Sequence, residues 1–159
     1  MTEPVLIADG GRARDDAGGI AVDVAVGVLI GPDGQFLLTS RPGGKVYAGY
    51  WEFPGGKLEM GESVAQALTR ELGEELGVTV QTTDVQAWKQ QLVDYPHALV
   101  RLHFCKVFNW SGAFQMREGQ SAAWQTLPVT VAPILPGTRP VLAWLAQERG
   151  FLEATELVA

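Results

Sequence analysis

An α/β (α+β) sandwich built around a mixed sheet is the fold this sequence predicts, on three observations. Short strand-like runs separated by turn residues occupy much of the stretch from Ile20 to Phe53, one strongly amphipathic helix pattern follows, and a second helix pattern comes after further strand-like runs. Strands interleaved with helices, rather than segregated from them, give layered α/β or α+β architectures. At 159 residues, and without an internal repeat, the chain suits a single domain. We expect that domain to span 20–159, with 1–19 as a flexible tail, because Met1–Gly19 mixes Asp, Arg, Gly and Ala without periodicity.

The elements follow in order. Ile20–Ile30 is an apolar, β-branched run, Gly31-Pro32-Asp33-Gly34 is a turn signal, and Gln35–Ser40 is a second run, which together read as a hairpin. A Gly-rich loop, Arg41–Gly49, leads to a short strand, Trp51–Phe53, ended by Pro54-Gly55-Gly56. Ser63–Leu76 is the clearest helix. Ser63 and Gln66 form a capping-box pattern, Val64, Leu68 and Leu72 make an apolar stripe, and Gly77 stands where a left-handed cap would end it. Val85–Val93 and Leu99–Trp110 read as longer strands joined through Tyr95-Pro96-His97, and Ala122–Thr126 as a shorter one. The Pro-rich connection Pro128–Pro136 leads to a last helix, Arg139–Arg149, with Val141, Leu142 and Leu145 facing inward.

Composition narrows the function. The net charge is −6 and the Lys and Arg residues are scattered, so a polyanionic nucleic acid would be repelled. No run approaches the ~20 apolar residues of a membrane span, and the N-terminus has no basic region followed by an apolar one. A single cysteine, Cys105, cannot form an internal disulfide, which fits a reducing cytoplasm. His97 and His103 lack a metal-site spacing and read as structural.

The chemistry-bearing feature is Arg70-Glu71-Leu72-Gly73-Glu74-Glu75. At 100° per residue, Glu71, Glu74 and Glu75 fall in one sector beside the apolar stripe, so they should be only partly solvated. Like charges at i,i+3 and i,i+4 repel, and the C-terminal half of a helix disfavours anions. By themselves three such carboxylates would read as an acidic surface. A divalent cation removes both objections, and a hard ion such as Mg²⁺ prefers carboxylate oxygens. Gly55-Gly56 would let a backbone carbonyl approach that ion. Arg70 could pair with Glu62 at the helix start or with a neighbouring carboxylate.

Taken as one block, Gly56-Lys57-Leu58-Glu59-Met60-Gly61-Glu62-Ser63 and Arg70-Glu71-Leu72-Gly73-Glu74-Glu75-Leu76-Gly77-Val78 resemble the Nudix box without a gap. Trp51-Glu52-Phe53-Pro54-Gly55-Gly56-Lys57 before it and Arg117-Glu118-Gly119-Gln120 after it are similar to the MutT-type branch, which removes oxidised guanine nucleotides from the pool. The resemblance covers about residues 22–147. It implies a Nudix-type α/β/α sandwich carrying a catalytic loop-helix-loop. It also implies hydrolysis of a nucleoside triphosphate, such as 8-oxo-dGTP, to the monophosphate and pyrophosphate, with water directed at the β-phosphorus. Glu71, Glu74, Glu75, Glu118 and the Gly55 carbonyl would hold Mg²⁺, or Mn²⁺ in its place. One of these carboxylates would activate water, with Arg70 fixing the cluster. Arg41, Glu52, Phe53, Pro54, Gly55 and Thr138 would contact substrate.

Thr138 departs from the branch, which carries there an asparagine that reads the oxidised base; this leaves the preferred base open. The runner-up is a pyrophosphohydrolase of CTP or modified dCTP. Pro42, Val46 and Tyr50 break the upstream pattern of coenzyme A diphosphatases. A non-catalytic ligand-sensing Nudix domain is the alternative of another class, and the retained carboxylates argue against it. The expected partner is thus a nucleotide, with no nucleic-acid polymer and no membrane; the oligomeric state is not legible.

Overall fold

The computed structural model describes residues 3–8 and 20–155. Its centre is β2 (Val22–Leu29), whose alternate side chains are buried on opposite faces. Val26, Val28 and the following Ile30 enter one apolar cluster, while Ala25 and Leu29 enter the other. Only a strand covered on both sides reads this way. Around it lies a five-stranded mixed sheet in the order β1 (Val5–Ile7), β6 (Val85–Asp94), β7 (Leu99–Val107), β2, β5 (Gly55–Lys57). The β1–β6 and β2–β7 pairs are parallel, and β6–β7 and β2–β5 are antiparallel. A smaller antiparallel sheet holds β4 (Trp51–Glu52), β3 (Phe36–Ser40) and β8 (Ala122–Gln125).

The two helices cover the two clusters. α1 (Val64–Leu76) buries Ala67, Leu68, Leu72 and Leu76 against Ala25, Leu29, Leu37 and Val107. Gly27 allows the close approach, since a Cβ there would lie 3.2 Å from a Leu68 methyl. α2 (Arg139–Arg149) buries Val141, Leu142 and Leu145 in the cluster that holds Val26, Phe36 and Phe104. This is the expected layered α/β/α arrangement, and α2 spans the expected residues. No helix among the described residues is long and apolar enough to cross a membrane.

Three expectations need correction. The expected hairpin does not form a paired ribbon. The 31–34 turn is present, with Gly34 N–H bonded to the Gly31 carbonyl, but β2 and β3 meet only at the Ile30–Phe36 bridge and enter different sheets. β2 takes β7 and β5 as partners, whereas β3 takes β4 and β8. Second, Val5–Ile7 is not tail but a strand in register with Leu92–Asp94, and Ala8 beyond it is buried. Three apolar residues are too few to show a period, so only a partner strand defines them. The rest of the expected tail lies outside the described residues. Third, β7 ends at Val107 rather than Trp110; the chain leaves the sheet there and Ser111 pairs with Thr79.

Candidate active site

The site is assembled from α1 and the loop before it. Ser63 caps α1 as expected: its hydroxyl accepts the Gln66 N–H at 3.1 Å, and the Gln66 side chain accepts the Ser63 N–H at 2.9 Å. Gly77, at φ 72°, closes the other end. The Gly55-Gly56 turn packs directly on the acidic face of this helix. A Cβ on Gly55 would collide with the Ala25 carbonyl, and one on Gly56 with the Glu71 carboxylate. Only glycine permits this approach. The Gly55 N–H then donates to Glu75 Oε2 at 3.1 Å.

Glu71, Glu74 and Glu75 all line one cleft of about 450 Å³, together with Glu52, Glu118, Gly55 and Gly56. Among the sequence-predicted residues, Arg41, Phe53 and Thr138 line it too, whereas Arg70 and Pro54 do not. Pro54 lies beneath the wall, its carbonyl accepting the Gly27 N–H at 2.8 Å. Burial pushes the Glu75 carboxyl up to about 8, with Glu118, Glu71 and Glu52 adding repulsion against the Gly55 N–H. Burial likewise raises Glu52, despite Arg41 Nη1 at 3.3 Å from its carboxylate. Arg41 is oriented a second time by the Val46 carbonyl, 2.7 Å from Nε.

Arg70 sits outside the cleft and ties its acidic rim together. Its guanidinium lies 2.8 Å from Glu62, 2.8 Å from Glu71 and 3.3 Å from Glu74, so it takes both of the pairings the sequence left open. Among the described residues no three His, Cys, Asp or Glu side chains already close on a single point, because Glu71 and Glu74 are turned onto Arg70. The carboxylates that crowd the helix side of the cleft nonetheless offer oxygen donors, the kind that hard divalent ions prefer. The Arg70 side-chain bonds and the Glu59 N–H hold Glu62 down at about 2, from 4.5. A depressed carboxylate stabilises the fold fully above its unfolded pKa and loses that contribution as pH falls through its folded pKa. The difference in urea midpoint between wild type and Glu62→Gln is therefore expected to shrink as pH drops from 5 toward 2. A difference that stays constant over that range would mean the pair is not held by charge.

The sequence missed part of the cleft. Lys45, Tyr47 and His97 line it, and Tyr47 stacks edge-on against Tyr95, with ring centroids 5.6 Å apart. His97, expected to be merely structural, lies 5.2 Å from the Tyr95 ring. Tyr95 is buried, and its hydroxyl accepts the Gly137 N–H at 3.0 Å, fixing the turn that presents Thr138. Tyr47 adopts φ 61°, an unusual conformation for a residue with a side chain. No local pattern marks these loop residues. His103, by contrast, does not line the cleft; it pairs with Ala25 in the β2–β7 ladder and lies 2.8 Å from Asp23.

Comparison with known proteins shows the family. Residues 21–145 match the family model described as the NUDIX domain. The chain is 34% identical over 125 residues to an 8-oxo-dGTP diphosphatase of Escherichia coli, covering 78% of this chain and 95% of that protein. It is 37% identical over 118 residues to a CTP pyrophosphohydrolase of Escherichia coli, covering 74% and 86%. A solved MutT structure, from work on the Aliivibrio salmonicida and Vibrio cholerae proteins, superposes with a TM-score of 0.65 at 31% identity, covering 81% of this chain and 99% of that one.

Proposed function

This chain belongs to the NUDIX family and is a Nudix hydrolase, and on that premise we propose that it is a Mg²⁺-dependent pyrophosphohydrolase of nucleoside triphosphates, with 8-oxo-dGTP the leading substrate. The products would be the nucleoside monophosphate and pyrophosphate, and the biological role sanitation of the cytoplasmic nucleotide pool that feeds DNA synthesis. What carries the reading is the convergence of Glu52, Glu71, Glu74, Glu75 and Glu118 on one cleft whose other wall is aromatic and basic.

Each wall has a task. Arg41 and Lys45 bring positive charge to the triphosphate, and Glu52 holds the Arg41 fork in place. Tyr47 and His97 offer flat surfaces to the base; Phe53 also lines the cleft but is only 3% exposed and packs on Phe36. Arg70 keeps Glu71 and Glu74 on the rim through its shared guanidinium. Glu71, Glu74, Glu75, Glu118 and the Gly55 carbonyl would hold a Mg²⁺ or Mn²⁺ ion, which when bound neutralises phosphate charge and lowers the pKa of water. A carboxylate of that set accepts the proton of the attacking water. Glu74 and Glu118 are exposed, whereas Glu71 and Glu75 are partly buried.

Hydrolysis of 8-oxo-dGTP, followed directly by chromatographic separation of the nucleoside monophosphate formed, tests the metal requirement. Excess EDTA is expected to abolish turnover, and Mg²⁺ or Mn²⁺ to restore it, because the carboxylate-lined cleft otherwise repels the triphosphate. Near-normal rates in EDTA would sink the metal assignment. The likeness to a CTP pyrophosphohydrolase supports a second reading, hydrolysis of CTP or a modified dCTP, and Thr138 weakens the first, since a lone hydroxyl lacks the paired donor and acceptor that would match an oxidised guanine. The same assay over a panel of canonical and oxidised nucleotides separates the two.

A further inference from the structure

Gln120 belongs to the Arg117-Glu118-Gly119-Gln120 segment but does not line the cleft. Its side chain is buried, 8% exposed, in a loop that is otherwise largely open. Both ends of its amide are engaged. Oε1 accepts the Glu118 N–H at 2.9 Å, and Nε2 donates to the Glu75 carbonyl at 3.2 Å. One amide thus joins the backbones of two residues whose carboxylates line the same cleft.

The loop docks there because a helix leaves its last carbonyls without partners inside the helix. The Gln115 N–H reaches the Leu76 carbonyl at 2.8 Å, and the Arg117 N–H reaches the Glu75 carbonyl at 3.1 Å. The Arg117 guanidinium adds the Gly73 carbonyl at 3.3 Å. These contacts hold the loop as far as Arg117. After it the chain turns through Gly119 at φ 74°, and Glu118 sits at the tip of that turn. Two carboxylates facing one cleft repel, so a tip held only from its near side would swing Glu118 toward water. On the far side Ser121 is anchored to Ser40, its N–H donating to the Ser40 hydroxyl at 2.9 Å and its carbonyl accepting the Ser40 N–H at 2.9 Å, and between that anchor and Glu118 the Gln120 amide is the side-chain link back to α1.

We propose that Gln120 is a positioning residue of the hydrolytic site, fixing Glu118 against Glu75 so that both carboxylates face one ion. The proposal rests on the reading of those two glutamates as metal ligands. Groups that orient metal ligands typically alter affinity or activity by ~10–100-fold when replaced.

The test is Gln120→Met, which keeps the length and volume and removes the amide. Mn²⁺ binding followed by electron paramagnetic resonance, without nucleotide, is expected to weaken by about tenfold or more. In the Mg²⁺-loaded enzyme kcat should fall while the KM for the nucleotide stays within roughly threefold, the pattern of a contact that matters to the transition state. Wild-type protein that binds no Mn²⁺ would overturn the metal reading and this proposal with it. Wild-type binding matched by equal affinity and unchanged kcat in Gln120→Met would overturn the proposal alone, whatever happens to the melting temperature. If the variant does not fold, the wild-type side-chain amide decides by NMR. Slow exchange of the Gln120 Nε2 protons and a saturable shift on Mg²⁺ addition support the bridge; rapid exchange with no response to Mg²⁺ overturns it.

Discussion

Replacing Glu75 by glutamine is expected to lower kcat on the order of 10³-fold, comparable to removing a main electrostatic stabiliser, and at the same time to make the metal-free protein more stable at pH 8. Both effects come from one observation. Glu75 is enclosed, faces Glu118, Glu71 and Glu52, and has its carboxyl pushed up to about 8. The folded state therefore binds its proton more tightly than the unfolded chain does. Between the ordinary value of 4.5 and about 8 the native state holds more protons, so stability falls as pH rises through that window and levels off above it. Glutamine keeps an oxygen for the Gly55 N–H and carries no charge to repel. The stabilisation should be absent at pH 4, grow through pH 6 and 7, and reach on the order of 2–4 kcal/mol by pH 8–9. Saturating Mg²⁺ should narrow the gap, because only the wild-type carboxylate gains from the ion. Thermal melts of both proteins across pH, with EDTA and with Mg²⁺, check every part. A mutant less stable than wild type at pH 8 in EDTA would show that the carboxylate is not strained by its neighbours.

The parts of this molecule legible in the sequence are those fixed by local physics. α1 could be read to the residue because its cap, its apolar spacing and its left-handed Gly77 all act within a few residues. The same periodicity placed Glu71, Glu74 and Glu75 on one face, and all three line the cleft. Their degrees of burial differ more than the helical sector implied: the Glu74 side chain is 59% exposed and that of Glu71 is 17% exposed. The difference arises because β5 covers one side of the sector and solvent the other. What failed was partner choice between distant segments. The 31–34 turn was legible, but nothing near it tells that β3 will pair with β8 rather than β2. Val5–Ile7 was invisible for the same reason.

Residues of the site divide along the same line. The Gly55-Gly56 requirement was legible as flexibility, and its cause is a collision with Ala25 and Glu71 that only the fold creates. Glu118 stands far from the helix in sequence and was identified by resemblance alone. Its placement depends on carbonyls at the end of α1 and on Gln120, none of which has a local signature. Lys45 and Tyr47 come from the loop between β3 and β4 and His97 from the loop between β6 and β7, segments that belong to different sheets and lie far apart in sequence. A substrate-facing wall made this way has no motif to find.

That wall bears on specificity, where Thr138→Asn is expected to sharpen the preference for 8-oxo-dGTP over dGTP by roughly tenfold or more, about the worth of one added hydrogen bond in a dry site. Thr138 is buried and lines the cleft, held by its N–H to the Leu135 carbonyl and by the Tyr95–Gly137 contact beside it. The position is therefore rigid enough to read a base. Arg139, next to it, is exposed and does not reach the cleft wall, so it cannot make up for a missing amide. A hydroxyl donates once, whereas the asparagine that the MutT-type branch carries there offers a donor and an acceptor side by side. Sites that match substrate hydrogen bonds discriminate by ~10⁴-fold or more, and a site without the paired contact forfeits much of that. The wild-type enzyme is accordingly expected to hydrolyse 8-oxo-dGTP with less preference over dGTP than the branch norm, or to favour another base. The ratio of kcat/KM values for the two nucleotides, measured for both proteins, is the check. An overwhelming wild-type preference that Thr138→Asn leaves unchanged would move base recognition away from Thr138, onto the loop wall of Lys45, Tyr47 and His97.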